Sequence, residues 1–206
     1  MYNQIAANRQ KTFLLVVSFL VLIIAVGYFA SVYWNNSSIL LWSVIVSMVM
    51  SWGSYFSGDK MILGLSGARK VRHDADLKQQ QIVHLVENIC ITAGLPTPQV
   101  YLVADSAPNA FAVGRDPKHA SIALTTGIIE KLDKVELEGV IAHELSHIKN
   151  YDILLSTVVI TLLGVITLLA DWSWRGRMFS NRDSNNDNNN SILLLIGVVL
   201  IILAPI

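Results

Sequence analysis

The segment that decides the fold reads Asp133-Lys-Val-Glu-Leu-Glu-Gly-Val-Ile-Ala-His-Glu-Leu-Ser-His-Ile-Lys-Asn-Tyr-Asp152. At its centre is the pattern His143-Glu144-Leu-Ser-His147, in which two histidines stand four residues apart. Residues at this spacing share one face of an α-helix, so both imidazoles can reach a single metal ion. Glu144 stands beside them as a candidate general acid and base. This H-E-x-x-H arrangement is typical of zinc metallopeptidases.

The residues around this pattern predict an amphipathic helix. Asp133 is a suitable N-cap, and Glu136 completes a capping-box pattern in which Asp replaces the usual Ser or Thr. Apolar residues recur at steps of three and four, which predicts a face buried against a sheet: Leu137, Val140, Ile141, Leu145 and Ile148. The two histidines fall on a separate stripe that can face a cleft. A chance match on an amphipathic helix is the alternative interpretation.

The composition separates this chain from ordinary soluble domains. Hydrophobic residues make up 53% of its 206 residues and charged residues 15%, against about 25% charged residues in a typical soluble protein. Four apolar runs cause the deficit, so we predict a membrane protein that contacts the lipid bilayer. The net charge is zero, which gives no indication of a nucleic-acid partner. The single cysteine, Cys90, excludes an intrachain disulfide.

The first two apolar runs, 13–33 and 39–56, predict a transmembrane hairpin within residues 1–60. A signal peptide is the alternative for the first run, which is longer than the usual apolar core of about 7–15 residues. Basic residues precede the first run and follow the second, at 69–73. The positive-inside rule therefore places both ends of the hairpin in the cytoplasm. Residues 61–152 are then a cytoplasmic catalytic domain.

Residues 74–152 carry the patterns of a small α+β domain. A helical stripe is predicted from Leu77 to Thr92 with Gly94 as its cap, and strands are predicted at 99–104, 109–114 and 120–125. A short helical segment is predicted at 127–132. The second predicted strand is a candidate edge strand to which an extended substrate could add. The residues proposed for this contact are Asn109, Ala110, Phe111 and Ala112. An ordinary core strand fits the same residues equally well.

Residues near the histidine pattern have two interpretations each. Asn150 and Asp152 follow the second histidine, where side chains that support a metal ligand often lie, but they could equally end the helix. His119 could stabilise an oxyanion or be an ordinary loop residue. Two further apolar runs, 153–170 and 192–206, flank an Asn-rich loop at 181–190. We expect both runs to span the bilayer, the alternative being a hairpin that dips into it.

Three stretches together resemble the HtpX family of membrane zinc endopeptidases, which is related to the CAAX prenyl proteases. They are Pro108-Asn-Ala-Phe-Ala-Val-Gly-Arg115, Lys118-His-Ala-Ser-Ile-Ala-Leu-Thr-Thr-Gly127 and His143-Glu-Leu-Ser-His-Ile-Lys-Asn-Tyr-Asp152. The resemblance implies an α-helical membrane protein with a small α+β, zincin-like catalytic domain, in which the metal helix packs on a short β-sheet. It implies a zinc ion bound by His143 and His147, with Glu144 as the catalytic residue. It further implies unfolded or damaged membrane proteins as substrates, in stress-related quality control at the cytoplasmic (inner) membrane.

In that family the third zinc ligand is a glutamate of an E-x-x-x-D motif beyond the fourth apolar run. No glutamate occurs after Asp152 in this sequence, which ends at Ile206. We therefore expect the chain to be the N-terminal portion of a longer protein, with the third ligand beyond residue 206. Alone it would bind zinc weakly or not at all and would be inactive, because catalytic zinc sites normally have three protein ligands. The alternative is a non-catalytic membrane scaffold or adaptor that kept the fold.

Overall fold

The computed structural model describes residues 2–72 and 76–180. This part of the chain contains six α-helices, four β-strands and one short 3-10 helix. These described residues divide into two compact units, one formed by those up to Val16 together with those between Gly53 and Val158, and the other by Val17–Trp52 together with those from Val159 onward. The first unit contains the sheet and the H-E-x-x-H pattern.

Two long helices begin the chain, α1 (Tyr2–Tyr33) and α2 (Ser38–Leu65). The stretches Ile5–Tyr33 and Ser38–Leu65 are long and apolar enough to cross a membrane, in agreement with the two predicted apolar runs. A Cβ added at Gly27 would collide with the side chain of Ser43, so the two helices approach closely there. Small residues commonly allow such close contacts between membrane helices.

One sheet forms from β1 (Arg69–Lys70), β2 (Gln99–Val103), β3 (Ala110–Gly114) and β4 (Ala120–Thr125), in the order β1-β2-β4-β3. Strands β2 and β4 run parallel, whereas β1 pairs antiparallel with β2 and β3 pairs antiparallel with β4. The three predicted strands are confirmed to within one residue at each end. The sequence does not predict β1, because two basic residues carry no alternation of apolar and polar side chains. The order places β3 at an edge.

Three helices and the sheet enclose the main core: α3 (Leu77–Ala93), α4 (Thr126–Lys131) and α5 (Lys134–Lys149). On β3, Ala110 and Ala112 pack against this core, whereas Phe111 and Val113 belong to a second cluster that includes residues of α2. This alternation is that of a strand covered on both faces. Small alanine side chains on the α5 side allow the helix to approach the strand closely.

Capping residues fix the ends of these helices. Asp76 accepts a hydrogen bond from the backbone of Gln79 at the start of α3, and Gly94 ends that helix in the left-handed conformation, with φ of +66°. Thr125 caps α4. The predicted helices at 77–92 and 127–132 are therefore confirmed, the second as the single helical segment Thr126–Lys131.

The last described helix is α6 (Asp152–Ser180), which contains the predicted apolar run at 153–170. The prediction that this run spans the bilayer stays a prediction. The predicted Asn-rich loop at 181–190 and the run at 192–206 lie outside the described residues.

Candidate metal centre

Helix α5 is fixed at its first turn and along one face. The Asp133 carboxylate accepts a hydrogen bond from the Glu136 backbone N–H at 2.8 Å, and Glu136 accepts one from the Asp133 N–H at 3.0 Å. This is the predicted capping box, with both halves formed. The buried face of the helix carries Leu137, Ile141, Leu145 and Ile148, whereas Val140 is only partly buried. The helix therefore has a fixed orientation on the core.

On another face of α5, His143 and His147 converge. Their ring centroids lie 4.7 Å apart with an interplanar angle of 88°, and their Nε2 atoms are 3.2 Å apart. The Nδ1 atom of His147 lies 2.8 Å from Oδ2 of Asp152. An ionised carboxylate only accepts, so a neutral His147 that donates from Nδ1 to Asp152 has its Nε2 lone pair on the side of His143. Metal ligation requires that same lone pair.

The turn after α5 places Asp152 beneath His147. Asn150 is the C-cap of α5, and Tyr151 adopts a φ of +62°, which redirects the chain into α6. The side chain of Asn8, in α1, donates to Oδ1 of Asp152 and to the Asn150 carbonyl, the latter at 3.1 Å. The sequence allowed both residues either to end the helix or to support a metal ligand, and the structure gives each residue one of these roles. Asn150 ends the helix, and Asp152 contacts a candidate ligand.

Glu144 faces the edge strand of the sheet. Partial burial raises the pKa of its carboxyl above the ordinary value, although His147, His143 and a hydrogen bond from the Ala112 backbone act to lower it. A carboxyl whose pKa is raised toward neutral pH is better matched to proton transfer in both directions. The contact with Ala112 also shows that this carboxylate lies directly beside β3.

The candidate edge strand begins one residue later than its predicted start. Both backbone groups of Asn109 bond to Thr125, whose Oγ1 accepts from the Asn109 N–H at 2.9 Å and whose N–H donates to the Asn109 carbonyl at 3.0 Å. The Gly114 N–H points the other way and donates to Thr157 at 3.1 Å. Because backbone groups alternate along an antiparallel strand, those of Ala110 and Ala112 also point away from β4. Phe111 points its backbone groups toward β4.

Within residues 2–72 and 76–180, no group of three or more His, Cys, Asp or Glu side chains is arranged to hold a metal ion. His143 and His147 are a pair of converging donors. His119 instead pairs with Asp116 in the loop before β4, with its Nδ1 at 2.8 Å from both carboxylate oxygens.

Residues 76–206 match the sequence profile of peptidase family M48. The chain belongs to this family. Its relatives include a "Protease HtpX homolog" of Thermoanaerobacter pseudethanolicus, 41% identical over 213 residues, with all of this chain and 70% of the relative covered. A protein of the same name from Caldanaerobacter subterraneus is 43% identical with the same coverage. One from Streptococcus gordonii is 37% identical over 180 residues, covering 86% of this chain and 59% of the relative.

These relatives confirm the resemblance to HtpX proteases, and the M48 match makes the chain a peptidase. Sequence reasoning names His143, Glu144 and His147 in this M48 peptidase, and the structure brings the three side chains together on α5. Sequence reasoning does not identify Asn8, which contacts Asp152. The signal in the sequence is a pair of polar residues four apart, Asn8 and Thr12, at the start of a long apolar helix. Both side chains are buried in the structure.

Proposed function

We propose that this M48 peptidase is a zinc-dependent endopeptidase whose metal is held by His143 and His147. The observation that carries the proposal is the 3.2 Å separation of the two Nε2 atoms. Two nitrogens bound tetrahedrally to one zinc, each at about 2.0–2.1 Å, lie about 3.3 Å from each other. The separation of the two imidazole nitrogens therefore matches that of two ligands of one zinc ion.

In this proposal Glu144 is the catalytic acid and base. Zinc, when bound, would polarise the scissile carbonyl and acidify a water molecule. A carboxylate oxygen of Glu144 takes the proton of the attacking water and delivers it to the nitrogen of the leaving amine. The hydrogen bond from the Ala112 backbone holds this carboxylate in place. Asp152 holds the ring of His147 through its Nδ1.

We further propose that an extended substrate segment adds to the edge strand β3. The backbone groups of Ala110 and the carbonyl of Ala112 point away from β4, beside the carboxylate of Glu144. Phe111 would contribute to the strand's position through its side chain, which packs on the second cluster. Asn109 would fix the start of the strand rather than bind substrate, because its backbone bonds to Thr125. Recognition through backbone groups suits unfolded chains of many sequences.

The membrane setting and the substrates complete the proposal. Exposed aromatic residues such as Phe13 and Trp52, with exposed fractions of 67% and 70%, support insertion of α1 and α2 in a bilayer. The basic residues that flank this hairpin support a catalytic domain on the cytoplasmic side of the inner membrane. The resemblance to HtpX proteases supports misfolded or damaged membrane proteins as substrates, in quality control under stress.

Zinc binding and cleavage test the proposal. The purified chain in detergent micelles is titrated with zinc against a chromophoric chelator, alongside the variants His143→Ala and His147→Ala. His84→Ala is the matched control, since His84 lies on α3 with an exposed fraction of 69%. We expect both site variants to lose zinc binding and the control to keep it. Equal affinity in all of them would overturn the metal assignment.

Cleavage is measured on an unfolded membrane protein in detergent micelles with zinc added. We expect zinc-dependent cleavage within the substrate chain. Zinc binding and substrate capture with no cleavage would support the scaffold or adaptor alternative instead.

A further inference from the structure

We propose that Asn8 is a positioning residue for the metal site, through which the first helix of the chain supports the ligand His147. The expected effect on zinc binding rests on the proposed function. The hydrogen bonds that connect Asn8 to His147 do not depend on it. Asn8 lies in α1, 135 positions before His143 along the chain by the difference of their numbers. The two belong to the same compact unit, since that unit includes both Met1–Val16 and Gly53–Val158.

Three side chains form a continuous hydrogen-bonded series. Asn8 donates through Nδ2 to Oδ1 of Asp152, and the other oxygen of the same carboxylate accepts from Nδ1 of His147 at 2.8 Å. A carboxylate held at both oxygens cannot rotate without losing one of these bonds. Asn8 therefore restricts the orientation of Asp152, and Asp152 restricts the ring of His147 and the proton on its Nδ1. Partners of this kind keep the ligating nitrogen free for the metal.

Asn8 also stabilises the backbone turn that presents Asp152. Its Nδ2 donates to the Asn150 carbonyl at 3.1 Å, so it bonds to both neighbours of Tyr151. Tyr151 has a φ of +62°, a backbone conformation that residues other than glycine adopt only at a cost of about 1 kcal/mol or more. A contact that holds both sides of this residue favours the strained turn. The turn in turn fixes where the carboxylate lies.

The environment of Asn8 explains why an amide is needed there. Asn8 has an exposed fraction of only 9%, so its polar groups must find protein partners. Its backbone carbonyl accepts from Thr12 Oγ1 at 2.8 Å, which leaves the side chain directed at the turn. Arg9 makes a separate contact between the same helix and the same turn, with its guanidinium 4.6 Å from the centre of the Tyr151 ring. These two contacts of α1 can be removed independently.

The variants Asn8→Leu and Asn8→Ser remove the amide, and Arg9→Gln is the matched control that removes the contact with Tyr151 and keeps the Asn8 amide. Losing an orienting partner costs roughly 10–100-fold in metal affinity. Asp152 contacts the ligand His147 directly, whereas Asn8 acts through Asp152 and is one hydrogen bond further from that ligand. We therefore expect zinc to bind up to about tenfold more weakly in both Asn8 variants. Asp152→Ala should show the larger loss, and Arg9→Gln should bind zinc like the unmodified chain.

A second measurement needs no metal. In the metal-free chain, labelled with nitrogen-15 at histidine, the ring nitrogens of His147 report where its proton resides. The unmodified chain should show the proton on Nδ1, and both Asn8 variants should show a smaller Nδ1–H fraction, whereas Arg9→Gln should not. The serine variant covers the case in which leucine disturbs folding, because it keeps a small polar side chain in the helix.

The outcomes separate this inference from the proposed function. If the unmodified chain does not bind zinc but the Nδ1–H fraction falls in the Asn8 variants alone, the metal assignment fails and the positioning role stands. If zinc binds and neither affinity nor the His147 proton differs between the Asn8 variants and Arg9→Gln, the positioning role is refuted.

Discussion

Replacement of Glu144 by glutamine should separate catalysis from stability. Glutamine keeps an oxygen that can accept from the Ala112 backbone, so the side chain should stay beside β3. It cannot accept the proton of the attacking water. Loss of a positioned general base typically costs 10²–10⁴-fold, which corresponds to about 2.7–5.4 kcal/mol of transition-state stabilisation. We expect kcat to fall by this factor and zinc affinity to change little.

The same substitution should not destabilise the fold. Burial raises the pKa of Glu144 in the folded protein, so its ionised form is disfavoured relative to the unfolded chain. A raised acid pKa contributes stability at low pH that is lost as the pH rises through the folded-state value. In the metal-free protein, Glu144→Gln should therefore be at least as stable as the unmodified chain at pH 7. The advantage should disappear at pH values at which Glu144 is protonated.

The assay combines peptide cleavage with thermal unfolding of metal-free protein in detergent micelles, each at several pH values. Glu138→Gln is the matched control, because Glu138 lies on α5 and pairs at 4.0 Å only with Lys134 in the described part of the chain. Cleavage by Glu144→Gln within tenfold of the control would refute the assigned role. A clear loss of stability at pH 7 would refute the reasoning from burial.

Three further predictions concern the elements around the site. Asp133→Ala should lower the free energy of unfolding by about 1 kcal/mol through loss of the N-cap, whereas Asp133→Ser should retain most of it in chemical denaturation. Gly127→Ala should destabilise the fold by roughly 1–3 kcal/mol, because the new Cβ would collide with the Ser106 carbonyl; a neutral effect in the same assay would contradict this. Burial raises the pKa of Asp116, but hydrogen bonds from His119 and the Lys118 backbone outweigh it and leave the pKa below its ordinary value. Asp116→Asn should therefore lower the free energy of unfolding at pH 7 and match the unmodified chain once the pH falls below the folded-state pKa of Asp116. An equal loss of stability at both pH values would argue against the pairing of Asp116 with His119.

The local elements of this fold are readable from the sequence because short-range signals specify them. Asp133 and Glu136 form the capping box that their spacing predicts, and Gly94 ends α3 in the left-handed conformation. The spacing of His143 and His147 likewise determines that they meet, since helix geometry alone brings residues four apart together. Each of these features depends on contacts within a few residues.

The features that the sequence does not predict depend on contacts between distant segments. The parallel pairing of β2 with β4 and the edge position of β3 follow from how three strands and three helices close one core, which no single strand's pattern encodes. The short strand β1 forms because β2 offers it a partner. Asn8 acquires its proposed role only when α1 meets the turn at Tyr151, and the polar pair Asn8 and Thr12 does not indicate which distant segment that helix contacts.

In the proposed function, strand β3 would connect substrate binding to catalysis through one residue, Ala112. The Ala112 N–H already donates to Glu144, so an added substrate strand would find the Ala112 carbonyl, and not its amide, available at that point of the edge. A substrate paired in this way would be aligned with the same residue that contacts the Glu144 carboxylate. The distance between the bound peptide and the base is then set by the backbone of a single strand, which is among the stiffest parts of a fold. Alanine suits this position, because a larger side chain toward α5 would push the helix, and with it Glu144, away from the strand.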